Sequence, residues 1–124
     1  MSIDVIVPES LRKTYDNWHY APAVRHRDLI FCSGVIGRGD SAEEEFRDAW
    51  RAVGAVLAEA GASYADIIDS TLYIVDLAKH TATMAKVKDE FVKAPYPAST
   101  WIGVTALVSQ TGRAEIKVVA RVPA

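Results

Sequence analysis

Ser41–Ser63 reads SAEEEFRDAWRAVGAVLAEAGAS, and its pattern decides what the rest of the chain must do. Phe46, Ala49, Trp50, Val53, Val56, Leu57 and Ala60 recur at spacings of three and four, which puts them on a single apolar stripe of a helix. Ser41 with Glu44 three residues later has the pattern of a capping box, acidic residues fill the first turn, and Gly61 suits the stop. The spacing predicts a helix over 42–60 that has to lay its stripe on another layer of structure.

A second helix follows from LAKHTATMAKVKDEFVKA, residues 77–94, where His80, Met84, Val87 and Phe91 share a side. Asp76 stands at its cap position and Pro95 bounds its end. His80 has no second His or Cys at helical spacing, so it reads as a packing histidine. Around the two helices lie segments rich in β-branched and aromatic residues: AVRHR (23–27), LIFCSGVI (29–36), IIDSTLYIVD (67–76), and the closing pair STWIGVTAL (99–107) and AEIKVVARV (114–122). His26–Asp28 is short enough for a hairpin, and SQTGR between the last two is a polar turn containing Gly112.

The predicted order is therefore β-β-α-β-α-β-β, an α+β sandwich with both helices on one face of a mixed sheet. WIGVTAL and EIKVVARV carry apolar residues on both sides of their alternation, yet these readings leave no helix for the second face. An oligomer that closes those faces against each other is the economical expectation.

At 124 residues the chain is read as one domain, 1–124, long enough to bury a core. Half its residues are apolar and about a quarter charged, and the net charge is −2. That balance gives no general attraction to nucleic acid or to anionic lipid, and Arg25–Arg27 is too short a basic run to supply one. A lone cysteine, Cys32, excludes an intrachain disulfide and a Cys-based metal cluster; inside LIFCSG it reads as a small buried apolar residue. The start, MSIDVIVPES, has no targeting pattern, and no run reaches the ~18 apolar residues of a membrane span. The expectation is a cytoplasmic protein.

Motifs for familiar chemistry are missing. GVIGRGD, residues 34–40, lacks the lysine and hydroxyl of a phosphate loop, so its glycines suit a turn, and CSG is no nucleophile elbow. What remains is a set of polar groups at strand ends: Tyr20, Ser33, Ser99, Thr100 and Glu115. Glu115 opens an apolar strand, where a carboxylate is expensive to bury unless it is paired. In such a place it can serve as a general acid or base, or it can be a solvated strand end beside Arg113.

Taken in order, YAPAVRHRDLIFCSGVIG (20–37), GAVLAEAGAS (54–63), IIDSTLYIVDL (67–77), PYPAST (95–100) and AEIKVVARV (114–122) resemble the Rid family, also called the YjgF or endoribonuclease L-PSP family, over about residues 15–122. The resemblance implies a chorismate-mutase-like fold assembled as a homotrimeric barrel with clefts between subunits. It implies hydrolysis of reactive enamines and imines to 2-keto acids and ammonia without a cofactor or a metal. It also assigns Glu115 to handling water, and Tyr20, Ser33 and the adjoining Gly34 to the substrate pocket.

Two positions depart from the family pattern. Ser99 stands where deaminating members carry an arginine that grips the substrate carboxylate, and Met84 where they often carry an asparagine. With Trp101 expected to wall the cleft and Trp18 to close over it, these changes favour a small neutral or aromatic-containing metabolite. Three alternatives stand beside that expectation. One is the family deamination with its anion contact from another residue, such as Arg113 or Arg121. Another is a non-catalytic metabolite-binding or chaperone-like trimer, and the third is an endoribonuclease, which the acidic balance fits least.

Overall fold

The computed structural model describes residues 3–124; Met1 and Ser2, where the stretch read as lacking a targeting pattern begins, lie outside them. In chain order the elements are β1 (Asp4–Ile6), a 3₁₀ turn (Glu9–Leu11), α1 (Arg12–Trp18), β2 (Ala23–His26), β3 (Leu29–Cys32), α2 (Ala42–Glu59), a 3₁₀ turn (Tyr64–Asp66), β4 (Ile67–Val75), α3 (Leu77–Phe91), β5 (Ala98–Val104) and β6 (Ala114–Arg121). The predicted β-β-α-β-α-β-β order is contained here, preceded by a strand and a short helix that the sequence did not announce. No helix among the described residues is long and apolar enough to cross a membrane.

α2 begins as its sequence says. The Ser41 hydroxyl accepts from the Glu44 N–H at 3.1 Å, which is the forward half of the expected capping box. Its end is a Schellman motif: Gly61 adopts φ +80°, its N–H meets the Ala58 carbonyl, and the Ala62 N–H meets that of Leu57 at 2.8 Å. α3 departs in detail, because Asp76 occupies the cap position in a left-handed conformation and its side chain makes no capping bond. Arg47 joins Glu90 and Lys86 joins Glu43 across the two helices, exposed pairs that contribute little to stability.

All six strands form one sheet in the order β1-β2-β3-β6-β4-β5. The closing strands are thus not neighbours, which corrects their reading as a turn-linked pair. β4 lies between them, parallel to β5 and antiparallel to β6. A parallel neighbour needs a long crossover, and α3 supplies it between β4 and β5. The chain then passes back through residues 105–113 to insert β6 between β3 and β4.

α2 and α3 cover one face. Phe46, Trp50, Val53 and Leu57 from α2 and Met84 and Val87 from α3 are buried with Ile30, Leu72, Ile74, Ile116 and Val118 of the sheet. Trp50 stacks on Phe91 at 6.4 Å, and His80 sits buried with its ring edge-on to Phe46, a packing role. The registers Val5–Val24, Val24–Phe31, Phe31–Val119 and Val119–Asp69 run as one row across the opposite face, and Tyr73 and Ile102 belong to that face too. Among the described residues this face is left open: Phe31 and Ile102 each remain 40 % exposed. The two-sided apolar pattern of the closing strands is real, and its second side is bare in the single chain.

Candidate functional site

Glu115 owes its position to alternation along β6. Ala114 and Ile116 are buried under the helices, so Glu115 points to the bare face, opposite Tyr73 of β4. Val35 and Ile116 exchange two hydrogen bonds of 2.9 Å, which draws the segment after β3 against the start of β6. Gly34 is thereby pressed onto the Glu115 side chain: a Cβ at this position would stand 1.9 Å from Oε2 and 2.7 Å from the carboxyl carbon. Only glycine leaves the carboxylate where it is.

A pocket of about 550 Å³ opens over this carboxylate. Tyr20, Ser33, Gly34 and Glu115 line it together, with Trp18 and Arg38 at its walls. Ser33 ties the site to the preceding segment, since its hydroxyl donates to the Ala21 carbonyl at 2.6 Å and its N–H to that of Pro22 at 2.9 Å. The hydroxyl proton is thus committed, and Ser33 offers the pocket lone pairs. The Glu115 carboxylate makes no hydrogen bond or ion pair among the described residues, so it is open to a molecule bound in the pocket.

The strand bearing Glu115 is anchored at its start by a buried carboxylate. Glu45 of α2, 2 % exposed, accepts the Arg113 N–H at 2.7 Å, the Ala114 N–H at 3.3 Å and the Arg113 guanidinium at 2.7 Å. Arg113 also donates to the Gly39 and Asp40 carbonyls. Arg121 is held by Asp66 at 3.2 Å. Burial pushes the Asp66 carboxyl up, but hydrogen bonds from the Ser63 N–H and from Arg121 outweigh it and leave it below the usual carboxylate range. In the single chain both arginines suggested by the sequence as substitute anion contacts pair with carboxylates outside this pocket.

The other expected pocket residues lie elsewhere. Ser99 and Trp101 of β5 register with Ser70 and Leu72, on the helix-covered side of the sheet, with β4 between them and β6. The Trp101 indole N–H donates to the Ser99 hydroxyl at 3.1 Å, and the Ser70 and Ser99 hydroxyls meet at 3.3 Å. They share a side, as the alternation predicts, but do not wall the Glu115 pocket of the same chain. Met84 is a correction: it is fully buried between α3 and the sheet, because the helical stripe that includes Val87 turns it into the core. It lines no surface of the chain.

Arg38, which lines the pocket, was not singled out from the sequence, where GVIGRGD reads only as a glycine turn. Its membership depends on how that turn lies on α2, which no local pattern encodes. Trp18 is found at the opening, carried there by the unannounced α1. Among the described residues no group of three or more His, Cys, Asp or Glu could hold a metal.

Cys32, adjacent to Ser33, is buried and faces the core. Burial raises its thiol to about 11, opposed only in part by the Lys117 ammonium. At pH 8 such a thiol is ionised to roughly one part in a thousand. Labelling by iodoacetamide at pH 8 is expected to run at least ~100-fold slower on the native protein than on the protein in guanidinium chloride. Comparable rates would show an accessible thiolate.

The comparisons with known proteins agree with this architecture. The family model described as Endoribonuclease L-PSP matches residues 13–122. The RutC family protein YjgH of Escherichia coli is 34 % identical over 125 residues, covering 95 % of this chain and 94 % of that protein. The chloroplastic Reactive Intermediate Deaminase A of Arabidopsis thaliana is 28 % identical over 96 residues, which span 71 % of this chain and 51 % of that protein. The crystal structure of Rv2704 from Mycobacterium tuberculosis, a member of the YjgF/YER057c/UK114 family, superposes with a TM-score of 0.87 at 27 % identity, over 97 % of this chain and 99 % of the other. Its mixed sheet with helices on one face is the chorismate-mutase-like fold of these neighbours. With a family model spanning nearly its whole length and a relative a third identical end to end, this chain belongs to the endoribonuclease L-PSP family, the Rid or YjgF family.

Proposed function

We propose that the chain is a cofactor-independent hydrolase of small imines and enamines, with Glu115 as the group that moves protons. One observation carries the reading: the Glu115 carboxylate, uncommitted among the described residues and fixed against Gly34, faces a pocket that also holds Tyr20 and Ser33. The kinship with a protein named as a reactive intermediate deaminase supports it.

The chemistry balances with these groups. Water adds to the imine carbon as Glu115 takes its proton, and the C=N electron pair moves to nitrogen. Glu115 then returns the proton to the nitrogen, giving a carbinolamine; the proton of its hydroxyl passes by way of Glu115 to that nitrogen as the C–N bond breaks, so the hydroxyl becomes a carbonyl and ammonia leaves. The net change is imine plus water to ketone plus ammonia, with no oxidant or metal required.

The working assembly in this reading is a homotrimer. The bare sheet face, with Phe31, Val119, Tyr73 and Ile102 on it, would be closed by two further copies, and Ser99 and Trp101 at the β5 edge would come to a neighbour's pocket. Light scattering at micromolar concentration is expected to give the mass of three chains. A monomeric mass would remove the cleft from the reading. The reaction is tested by ammonia release from freshly generated 2-aminoacrylate, with Glu115→Gln alongside.

A further inference from the structure

We propose that the space between α1 and α2 is a second binding site, separate from the Glu115 carboxylate, for a neutral and largely apolar molecule the size of indole that carries an N–H or O–H donor. The proposal does not depend on the imine hydrolase reading.

α1 is a helix with an unfilled underside. None of its residues is buried, yet a cavity of about 320 Å³ lies between it and α2. Leu11 and Thr14 line this cavity from the α1 side, Ala52 and Val56 from α2, and Pro22 and Val35 from the chain on either side of the β2–β3 hairpin. On α2, Asp48, Ala52 and Val56 stand four residues apart, which puts them on a strip of the helix beside the core stripe of Ala49, Val53 and Leu57. Ala52 ends at its Cβ, so α2 does not fill the gap toward Leu11 with a side chain at this point.

The walls are held in place by the chain's own bonds. The Ser33 N–H donates to the Pro22 carbonyl at 2.9 Å and the Leu11 N–H to that of Pro8 at 2.8 Å. The turn at 37–39 is pressed on α2: a Cβ at Gly37 would stand 2.1 Å from the Glu45 carbonyl oxygen, and one at Gly39 would stand 2.5 Å from the Glu45 nitrogen. A pre-formed, mostly apolar cavity with one or two fixed polar groups is the usual build of a small-molecule site. An apolar cavity of ~150 Å³ is enough to take up benzene, so this one has room for a fused pair of rings.

The fixed polar group is Asp48. Its Oδ2 accepts the Arg38 N–H at 2.8 Å, which holds the carboxylate at the edge of the cavity where α2 meets the 33–38 segment. Its Oδ1 receives no hydrogen bond among the described residues. A carboxylate can only accept, so it favours a ligand with a donor and repels an anion. Tyr20 and Ser33 line both this cavity and the Glu115 pocket, whereas Glu115 lines only the latter. The bound molecule therefore lies beside the reaction pocket and not in it.

Isothermal titration of the full-length protein with indole tests this. The wild type is expected to bind it saturably, and Ala52→Phe, which puts a ring into the space from α2, to weaken binding at least ~10-fold. Leu11→Trp fills the same space from the opposite wall and is expected to do likewise, so the test survives if one variant fails to fold. Glu115→Gln is expected to bind indole as the wild type does, and 1-methylindole, which has lost its donor, to bind several-fold more weakly than indole. Bound indole is expected to show nuclear Overhauser contacts to the Leu11 and Val56 methyl groups. A wild type without saturable binding, folded Ala52→Phe and Leu11→Trp proteins that bind like wild type, or binding lost in Glu115→Gln would overturn the proposal. Equal affinity for indole and 1-methylindole would overturn the role given to Asp48.

Discussion

Glu115→Gln is expected to lower kcat for imine hydrolysis by roughly 10²- to 10⁴-fold, the range for losing a positioned general acid–base group, with KM changed by less than a few-fold. Glutamine has nearly the same size, so it fits against Gly34 as the carboxylate does. It can orient water by a hydrogen bond but cannot carry a proton between water and nitrogen. The described fold does not use the charge, because the Glu115 carboxylate takes no part in an ion pair or hydrogen bond among the described residues. The melting temperature is therefore expected to stay within a degree or two, which separates a chemical loss from a folding one. Single-turnover kinetics with 2-aminoacrylate generated in place would measure it. Retention of more than a tenth of the wild-type rate would mean that water is activated by another group.

What the sequence disclosed follows from which interactions are local. α2 is legible because its stripe, its Ser41 cap and its Gly61 stop are all encoded within the helix, and each is found in place. β1 has three residues and α1 seven with none buried, too short for any periodicity to stand out. The strand order is opaque for a different reason. The 105–113 connection looks like a turn between adjacent strands, but β6 gains more by lying between β3 and β4, where Ile116, Val118 and Ala120 are covered by α2. That preference is tertiary, and no window along the chain contains it.

The site divides in the same way. Tyr20, Ser33, Gly34 and Glu115, assigned through the family resemblance, do meet in one pocket, brought together by the β3–β6 pairing. Ser99, assigned by the same resemblance, and Trp101, placed beside it by strand alternation, lie on the far side of β4, so their part in a cleft requires another copy of the chain. Met84 shows the limit of a correspondence made one residue at a time along a helix. One position is about 100° of rotation, enough to move a side chain from a cleft into the core. Arg38 escaped because the reasons for its orientation, Asp48 and the backbone of Glu45, lie some ten residues away on another element.

The larger effect on stability is expected from a residue that touches no substrate. Glu45→Ala removes the acceptor for three donors at once: the Arg113 and Ala114 N–H groups and the Arg113 guanidinium. Leaving buried donors without partners costs about 1–3 kcal/mol each where water cannot replace the acceptor. Water can reach part of the guanidinium, which is about a third exposed, so its share is discounted and the total falls near ~2–4 kcal/mol. For a chain of this size that lowers the melting temperature by roughly 10 °C or more. Glu45→Gln keeps a carbonyl oxygen for the backbone donors and loses the charge, so it is expected to lie between. Because these bonds hold the residue pair just before Glu115, Glu45→Gln is also expected to reduce kcat in a protein that still folds. Differential scanning calorimetry of both variants decides the matter: a Glu45→Ala protein melting within a degree of wild type would show that the start of β6 is held by its ladder alone.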